Sequence, residues 1–117
     1  MDVSLQRDEF GRLIAELKDG RQEATVTASN VPAAGEDLIA AIESARDTGY
    51  GECQWEEQGG DYRWMFRHTD GRLTVVVLWA TGTVTGWQHV FRADTTMEEF
   101  EKGVVEKGGR EVFLRKS

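Results

Sequence analysis

The stretch that decides the fold runs from Tyr50 to Trp79 and reads YGECQWEEQGGDYRWMFRHTDGRLTVVVLW. It contains two turn signals, Gly59-Gly60 and Asp70-Gly71, between three segments rich in aromatic and β-branched residues. Such dipeptides supply the positive φ angles that two-residue hairpin turns require. The stretch therefore predicts an antiparallel meander of three strands, over residues 50–57, 61–69 and 72–80.

The two turns also predict which residues face each other, because side chains alternate between the two faces of a strand. A turn at Gly59-Gly60 sets Trp55 opposite Trp64 and Cys53 opposite Phe66. A turn at Asp70-Gly71 independently sets Trp64 opposite Val77. Both turns agree on one apolar face, made of Cys53, Trp55, Tyr62, Trp64, Phe66, Val75, Val77 and Trp79.

The opposite face of the predicted meander mixes charged and apolar side chains. The same register sets Glu56 opposite Arg63 and Glu52 opposite Arg67 as exposed cross-strand pairs. An apolar patch ringed by charges is typical of a protein interface. We therefore identify a candidate interaction surface on this face, made of Met65, Val76, Leu78, Glu52, Glu56, Arg63 and Arg67.

A fourth strand is predicted near residues 86–93, but the length of the preceding loop decides which way its side chains point. An odd number of loop residues turns Trp87, His89 and Phe91 to the apolar face, and an even number turns all three to the mixed face. We favour the odd number, because Trp87 and Phe91 would add apolar area to a face that is already apolar.

The remaining segments predict one hairpin and two helices. The dipeptide Asp19-Gly20 predicts a hairpin over residues 11–29, with Leu13 opposite Val26 and Ala15 opposite Ala24. A helix near residues 32–47 begins at Pro32, with Ser29 or Asn30 as its cap, and buries Leu38, Ala41, Ile42 and Ala45.

A second helix is predicted near residues 96–107, where Thr96 and Glu99, or Thr95 and Glu98, have the form of a capping box. Val112-Phe113-Leu114 would form a short terminal strand. Together these elements predict a single α+β domain over residues 1–117, with an antiparallel sheet of about six strands and both helices packed on one face.

The composition limits the classes of partner. The net charge of −7 repels phosphate backbones, so we expect no nucleic-acid partner. Cys53 is the single cysteine, so no intrachain disulfide can form. No apolar run approaches the roughly 20 residues that span a bilayer, and we expect a cytoplasmic protein without a membrane partner.

No strong catalytic or metal-binding signature is present. The sequence lacks a glycine-rich phosphate loop, a His-Glu-x-x-His motif and a nucleophile elbow. His68 and His89 lie on separate predicted strands, with no short ligand spacing between them. Cys53 is predicted to be buried opposite Phe66, where apolar surroundings raise the pKa of a thiol. We therefore expect no enzymatic activity, no metal and no cofactor.

The residues from Trp55 to Phe66, followed by an apolar strand and Trp87 to Phe91, resemble small uncharacterised bacterial single-domain proteins. Some of those proteins are suspected to be immunity-type partners of secreted toxins. The resemblance implies a non-enzymatic binding protein, and the acidic composition fits an inhibitor that steers onto a basic partner. It carries over no functional residue.

Two functions follow from these observations. The first is an interaction module that acts by protein contact, with a toxin-like protein or with a second copy of itself through the mixed sheet face. The alternative is a small-molecule-binding domain, with a pocket between sheet and helices lined by Trp64, Trp79, Trp87 and His89.

Overall fold

The computed structural model describes residues 1–29, 33–81 and 86–106, with side chains as far as Val104. These residues form seven strands and two helices. In chain order the elements are β1 (Asp2–Arg7), β2 (Leu13–Asp19), β3 (Gln22–Ala28), α1 (Ala34–Thr48), β4 (Tyr50–Glu57), β5 (Gly60–Thr69), β6 (Arg72–Ala80), β7 (Gln88–Thr96) and α2 (Met97–Glu106). The fold is α+β, as predicted.

The strands belong to two antiparallel sheets, so the prediction of one sheet of about six strands was wrong. The first sheet has the order β1-β2-β3, and the second has the order β4-β5-β6-β7. Strand β1 was not predicted; in it Val3 and Leu5 are buried and lie opposite Leu17 and Ala15 of β2. The alternation of these two apolar residues with polar neighbours is the signal that could have revealed it.

The two sheets cross instead of extending each other. The side-chain amide of Gln22, at the start of β3, donates a hydrogen bond of 2.9 Å to the carbonyl oxygen of Arg92 in β7. Just past the other end of β3, the N–H of Ser29 donates to the carbonyl oxygen of Glu56 in β4, at 3.3 Å. Because β4 and β7 are the two edge strands of the second sheet, β3 runs across that sheet from edge to edge.

The predicted register is confirmed at one hairpin and shifted by two residues at the other two. Asp70 and Gly71 have φ angles of 51° and 80°, and Trp64 lies opposite Val77 as expected. In the other hairpins Trp55 lies opposite Tyr62, and Leu13 lies opposite Ala28. A shift of two residues leaves every side chain on its predicted face.

Gly60 explains one of these shifts. Of the two adjacent glycines only Gly59 has a positive φ angle, 91°, and Gly60 is the first residue of β5. A Cβ atom at Gly60 would lie 2.2 Å from the carbonyl oxygen of Ala80 and 2.6 Å from the ring of Trp79. Gly60 is therefore required for close packing, and the turn uses Gln58 and Gly59.

Both helices pack on the apolar side of the second sheet. In α1 the predicted residues Leu38, Ala41, Ile42 and Ala45 are buried. The capping residue expected for α1 was Ser29 or Asn30, but the structure places the N-cap at Ala33 with no side-chain hydrogen bond. Asn30 and Pro32 lie outside the described residues.

At α2, the hydroxyl oxygen of Thr96 accepts a hydrogen bond of 3.1 Å from the N–H of Glu99, which confirms this half of the predicted capping box. The ring of Phe100 in α2 meets Phe66 of β5 edge-on, with centroids 5.5 Å apart. The predicted terminal strand at Val112–Leu114 lies outside the described residues.

One core joins both sheets and both helices. Trp55, Trp64, Phe66, Phe91 and Phe100 are its largest fully buried side chains, and the buried residues of β1, β2 and β3 belong to the same cluster. This core accounts for one face of the four-stranded sheet. We call the other face of that sheet, turned away from the core, the outer face.

Candidate interaction surface

The outer face has an apolar centre. Met65 of β5 lies opposite Val76 of β6, and Leu78 lies next to Val76 on the same face; all three are half-buried. Strand alternation places the following residues on the outer face: Tyr50, Glu52, Gln54, Glu56, Asp61, Arg63, Met65, Arg67, Arg72, Thr74, Val76, Leu78, His89, Arg92 and Asp94. Trp87, which directly precedes β7, lies on the same side, against Arg63. All seven residues of the candidate surface identified from the sequence are therefore on one face.

The charged pairs on this face differ from those predicted, because the β4–β5 register is shifted by two residues. Arg63 binds Glu52 diagonally across the two strands, with its Nε donating a hydrogen bond of 2.8 Å to the Glu52 carboxylate. Glu56 lies opposite Asp61 instead of Arg63, and Arg67 lies opposite Tyr50 instead of Glu52.

Tyr50 adds an aromatic group to this charged network. Its hydroxyl donates a hydrogen bond of 3.0 Å to the Glu52 carboxylate, and the Arg67 guanidinium lies 5.6 Å from the centre of its ring. The hydrogen bonds from Arg63 and Tyr50 hold the pKa of Glu52 below its usual value. Glu52 is therefore ionised at neutral pH.

Trp87 and His89 also lie on the outer face, while Phe91 is fully buried on the core face. The expectation that these three side chains share a face was wrong. The pairing of β6 with β7 is irregular between Val77 and Leu78: Val77 lies opposite Phe91, and Leu78 lies opposite His89. Val90 is thus the extra residue of a β-bulge, and a bulge reverses the alternation on one side of it.

The bulge extends the apolar centre of the outer face. Trp87 is 40% exposed and lies against Arg63, whose guanidinium carbon is 5.7 Å from the centre of the indole ring. Arg63 therefore contacts both the carboxylate of Glu52 and the tryptophan. Sequence reasoning did not assign Trp87 to this surface, because nothing in the residues 86–93 marks the position of the bulge.

The structure does not bring the four candidate pocket residues together. Trp64 is fully buried in the core, and Trp79 is half-buried on the same side of the sheet, where its ring contacts that of Tyr62 at a tilt of 55°, with centroids 4.6 Å apart. Trp87 and His89 lie on the opposite side of the sheet.

Cys53 is partly buried and lies opposite Trp64, not Phe66. Burial, with smaller contributions from the carboxylates of Asp37 and Glu52, raises the pKa of the Cys53 thiol to about 12. The thiol is protonated at neutral pH, and a protonated thiol is a poor nucleophile.

Among residues 1–29, 33–81 and 86–106, no three side chains of His, Cys, Asp or Glu are grouped closely enough to hold a metal ion. No helix in this part of the chain is long and apolar enough to cross a membrane. Comparisons with protein-family models, with curated proteins and with solved structures found no match.

Proposed function

We propose that this protein is a non-enzymatic interaction module, and that the outer face binds a second copy of the same chain. The observation that carries the proposal is an apolar centre, made of Met65, Val76, Leu78 and Trp87, on a sheet face that no described element covers. Tryptophan and arginine are the residues that contribute most to binding at protein interfaces.

The charge of the outer face favours a second copy over a strongly charged partner. The face carries four arginines (Arg63, Arg67, Arg72 and Arg92) and four carboxylates (Glu52, Glu56, Asp61 and Asp94), so its formal charge is zero. The whole chain carries −7, and two copies repel each other elsewhere on their surfaces. A basic partner would be drawn to those acidic surfaces, whereas a neutral, apolar face suits a second copy.

The mixed signs also suit a two-fold interface, in which the same patch serves both partners and each arginine can meet a carboxylate.

The area of the outer face is also of the order that an interface needs. With strands about 4.8 Å apart and a rise of about 3.3 Å per residue, four strands of eight residues present roughly 500 Å² before side-chain relief is counted. This is of the same order as the roughly 800 Å² that each partner buries in a stable interface.

The test is the oligomeric state as a function of protein concentration, measured by sedimentation equilibrium up to about 500 μM, where even a weak dimer is populated. We expect a monomer–dimer equilibrium. Val76→Lys and Trp87→Lys should each weaken the dimer at least tenfold, because each buries an uncompensated charge in the apolar centre. Phe10→Lys is the matched control, since Phe10 is 84% exposed in the β1–β2 loop and lies off this face.

Salt dependence gives a second criterion. Because the two acidic chains repel each other outside the neutral face, added salt should strengthen the dimer or leave it unchanged. A protein that stays monomeric throughout the concentration range, or a dimer that Val76→Lys does not weaken, would show the proposal to be wrong.

A further inference from the structure

The edge of β4 carries a second feature, independent of the outer face. β4 is an edge strand of its sheet, and residues of β4 alternate between bonding to β5 and pointing their backbone groups away from it. The carbonyl oxygen of Glu56 accepts from Ser29, and that of Tyr50 accepts from the hydroxyl of Ser44 at 2.8 Å. These bonds show that Tyr50, Glu52, Gln54 and Glu56 are the residues whose backbone groups face outward.

The two ends of this edge are therefore occupied, and the middle is open. The backbone N–H and C=O groups of Glu52 and Gln54 have no hydrogen-bond partner within the described part of the chain. Four such groups in a row are a template for one more strand. At the opposite edge of the sheet, by contrast, the side-chain amide of Gln22 donates to the C=O of Arg92 and accepts from its N–H.

A groove lies beside this open edge. It has a volume of about 470 Å³, with α1 as one wall, through Asp37, Ala40, Ala41 and Ser44, and β4 from Tyr50 to Gln54 as the other. Gly51 brings the two walls together, since a Cβ atom there would lie 1.9 Å from the carbonyl oxygen of Ala41. The wall formed by α1 has small side chains, which leave room for those of an added strand.

The groove is acidic. Asp37 and Glu52 line it, and among the residues that the structure describes no lysine or arginine does. The Glu52 carboxylate is ion-paired with Arg63 on the outer face, whereas Asp37 has no ion pair within the described part of the chain, so Asp37 supplies the uncompensated negative charge of the groove. The side chains of an occupant would therefore meet negative charge at the same place where its backbone finds free donors and acceptors.

We propose that the open edge of β4 binds an extended, lysine- or arginine-bearing segment of a partner protein as a fifth strand of the sheet. Backbone hydrogen bonds to Glu52 and Gln54 would provide affinity, and the acidic groove would select basic residues. A second copy of the chain fits this edge poorly, because a two-fold pairing of β4 with itself would bring Asp37 and Glu52 towards their own copies.

The test uses nine-residue random peptides displayed on phage and selected on the immobilised full chain. Enriched peptides are synthesised and their affinities measured by fluorescence anisotropy. We expect enrichment in lysine, arginine and β-branched residues, and at least a tenfold loss of affinity for Gln54→Pro. This substitution removes an outward N–H, and proline is tolerated at such positions on an edge strand. Gln54→Thr keeps the N–H and should change the affinity less than twofold.

Asp37→Lys provides a charge test that does not alter β4, and it should weaken the same peptides at least fivefold. The proposal is overturned if no peptide is enriched, if the enriched peptides lack basic residues, or if they bind Gln54→Pro as well as the unaltered chain.

Hydrogen exchange distinguishes the occupants. The amides of Glu52 and Gln54 should exchange fast in the free protein and slowly in the peptide complex. Protection in the free monomer would show that the chain itself occupies the edge, and protection that grows with protein concentration would show that a second copy does. Either result contradicts the proposal.

Discussion

The indole rings of Trp55 and Trp64 lie 5.1 Å apart in the core, tilted by 59°, but only one of them has its N–H satisfied. Trp55 Nε1 donates a hydrogen bond of 3.2 Å to the carbonyl oxygen of Ala34 in the first turn of α1. Trp64 Nε1 is buried without a partner among the described residues. Two neighbouring tryptophans of equal burial thus differ in their polar contacts.

The first prediction follows from this difference. Trp55→Phe loses a hydrogen bond that contributes about 0.5–1.5 kcal/mol, to a carbonyl oxygen that also accepts within α1. Trp64→Phe instead removes a buried donor that has no partner, and an unsatisfied buried group costs about 1–3 kcal/mol. Both substitutions lose packing, so we expect Trp55→Phe to lower the free energy of unfolding by at least about 1 kcal/mol more than Trp64→Phe. Urea unfolding followed by circular dichroism measures both; equal losses would contradict the assignment.

The second prediction concerns the contact of α1 with β4. Gly51→Ala places a Cβ atom against backbone, which cannot move as the end of a side chain can, and we expect a loss of about 3 kcal/mol or more. Gly59→Ala is the comparison: Gly59 has a φ angle of 91° but nothing within 4 Å, so the cost is backbone strain of about 1–2 kcal/mol. Thermal unfolding of the two variants should rank Gly51→Ala as the less stable.

The third prediction concerns pH. Partial burial alone would raise the pKa of Glu57, but hydrogen bonds from the hydroxyls of Ser29 and Thr27 lower it. A folded-state pKa below the unfolded value of about 4.3 gives stability that is present above that value and is lost as the pH falls through the folded-state pKa.

Glu57→Gln should therefore destabilise the protein at pH 7 and flatten the decline of stability below about pH 5. Glu56→Gln is the matched control, because Glu56 is exposed on the outer face. Chemical unfolding from pH 3 to pH 7 provides the comparison, and identical pH profiles for the two variants would refute the prediction.

The fourth prediction concerns Cys53. With a thiol pKa of about 12 and a partly buried side chain, the folded protein should react with iodoacetamide at pH 8 at least about 100 times more slowly than the urea-unfolded chain. Mass spectrometry of the alkylated protein measures both rates. A folded-state rate near that of the unfolded chain would show that Cys53 is an accessible thiolate.

Much of the fold could be predicted because two local signals agree. Alternation and the Asp70-Gly71 turn placed Met65, Val76 and Leu78 on one face and Trp64 and Phe66 on the other, and the structure has them there. Local sequence signals fail to predict the structure where a residue is required by a contact with a residue far away in the sequence. Gly60 resembles a turn glycine, but it is required by the ring of Trp79 across the hairpin.

The division into two sheets could not be predicted for the same reason. Whether β3 pairs along β4 or crosses it depends on contacts such as Gln22 with Arg92, which are separated by 70 residues. The seven residues of the candidate surface were predicted, but not the pairing of their charges or the presence of Trp87 among them. The Arg63–Glu52 pair follows from the exact length of a turn, and the place of Trp87 follows from a bulge.

The bulge at Val90 has a consequence for how this surface could arise or disappear. Removing the irregularity by sliding the first part of β7 one residue would turn Trp87 and His89 inward and Gln88 outward, with no change in composition. One inserted or deleted residue between β6 and β7 could therefore move Trp87 from the outer face of the sheet to the core face. Related chains that differ only in that loop length could share this fold and this core while presenting different surfaces to their partners.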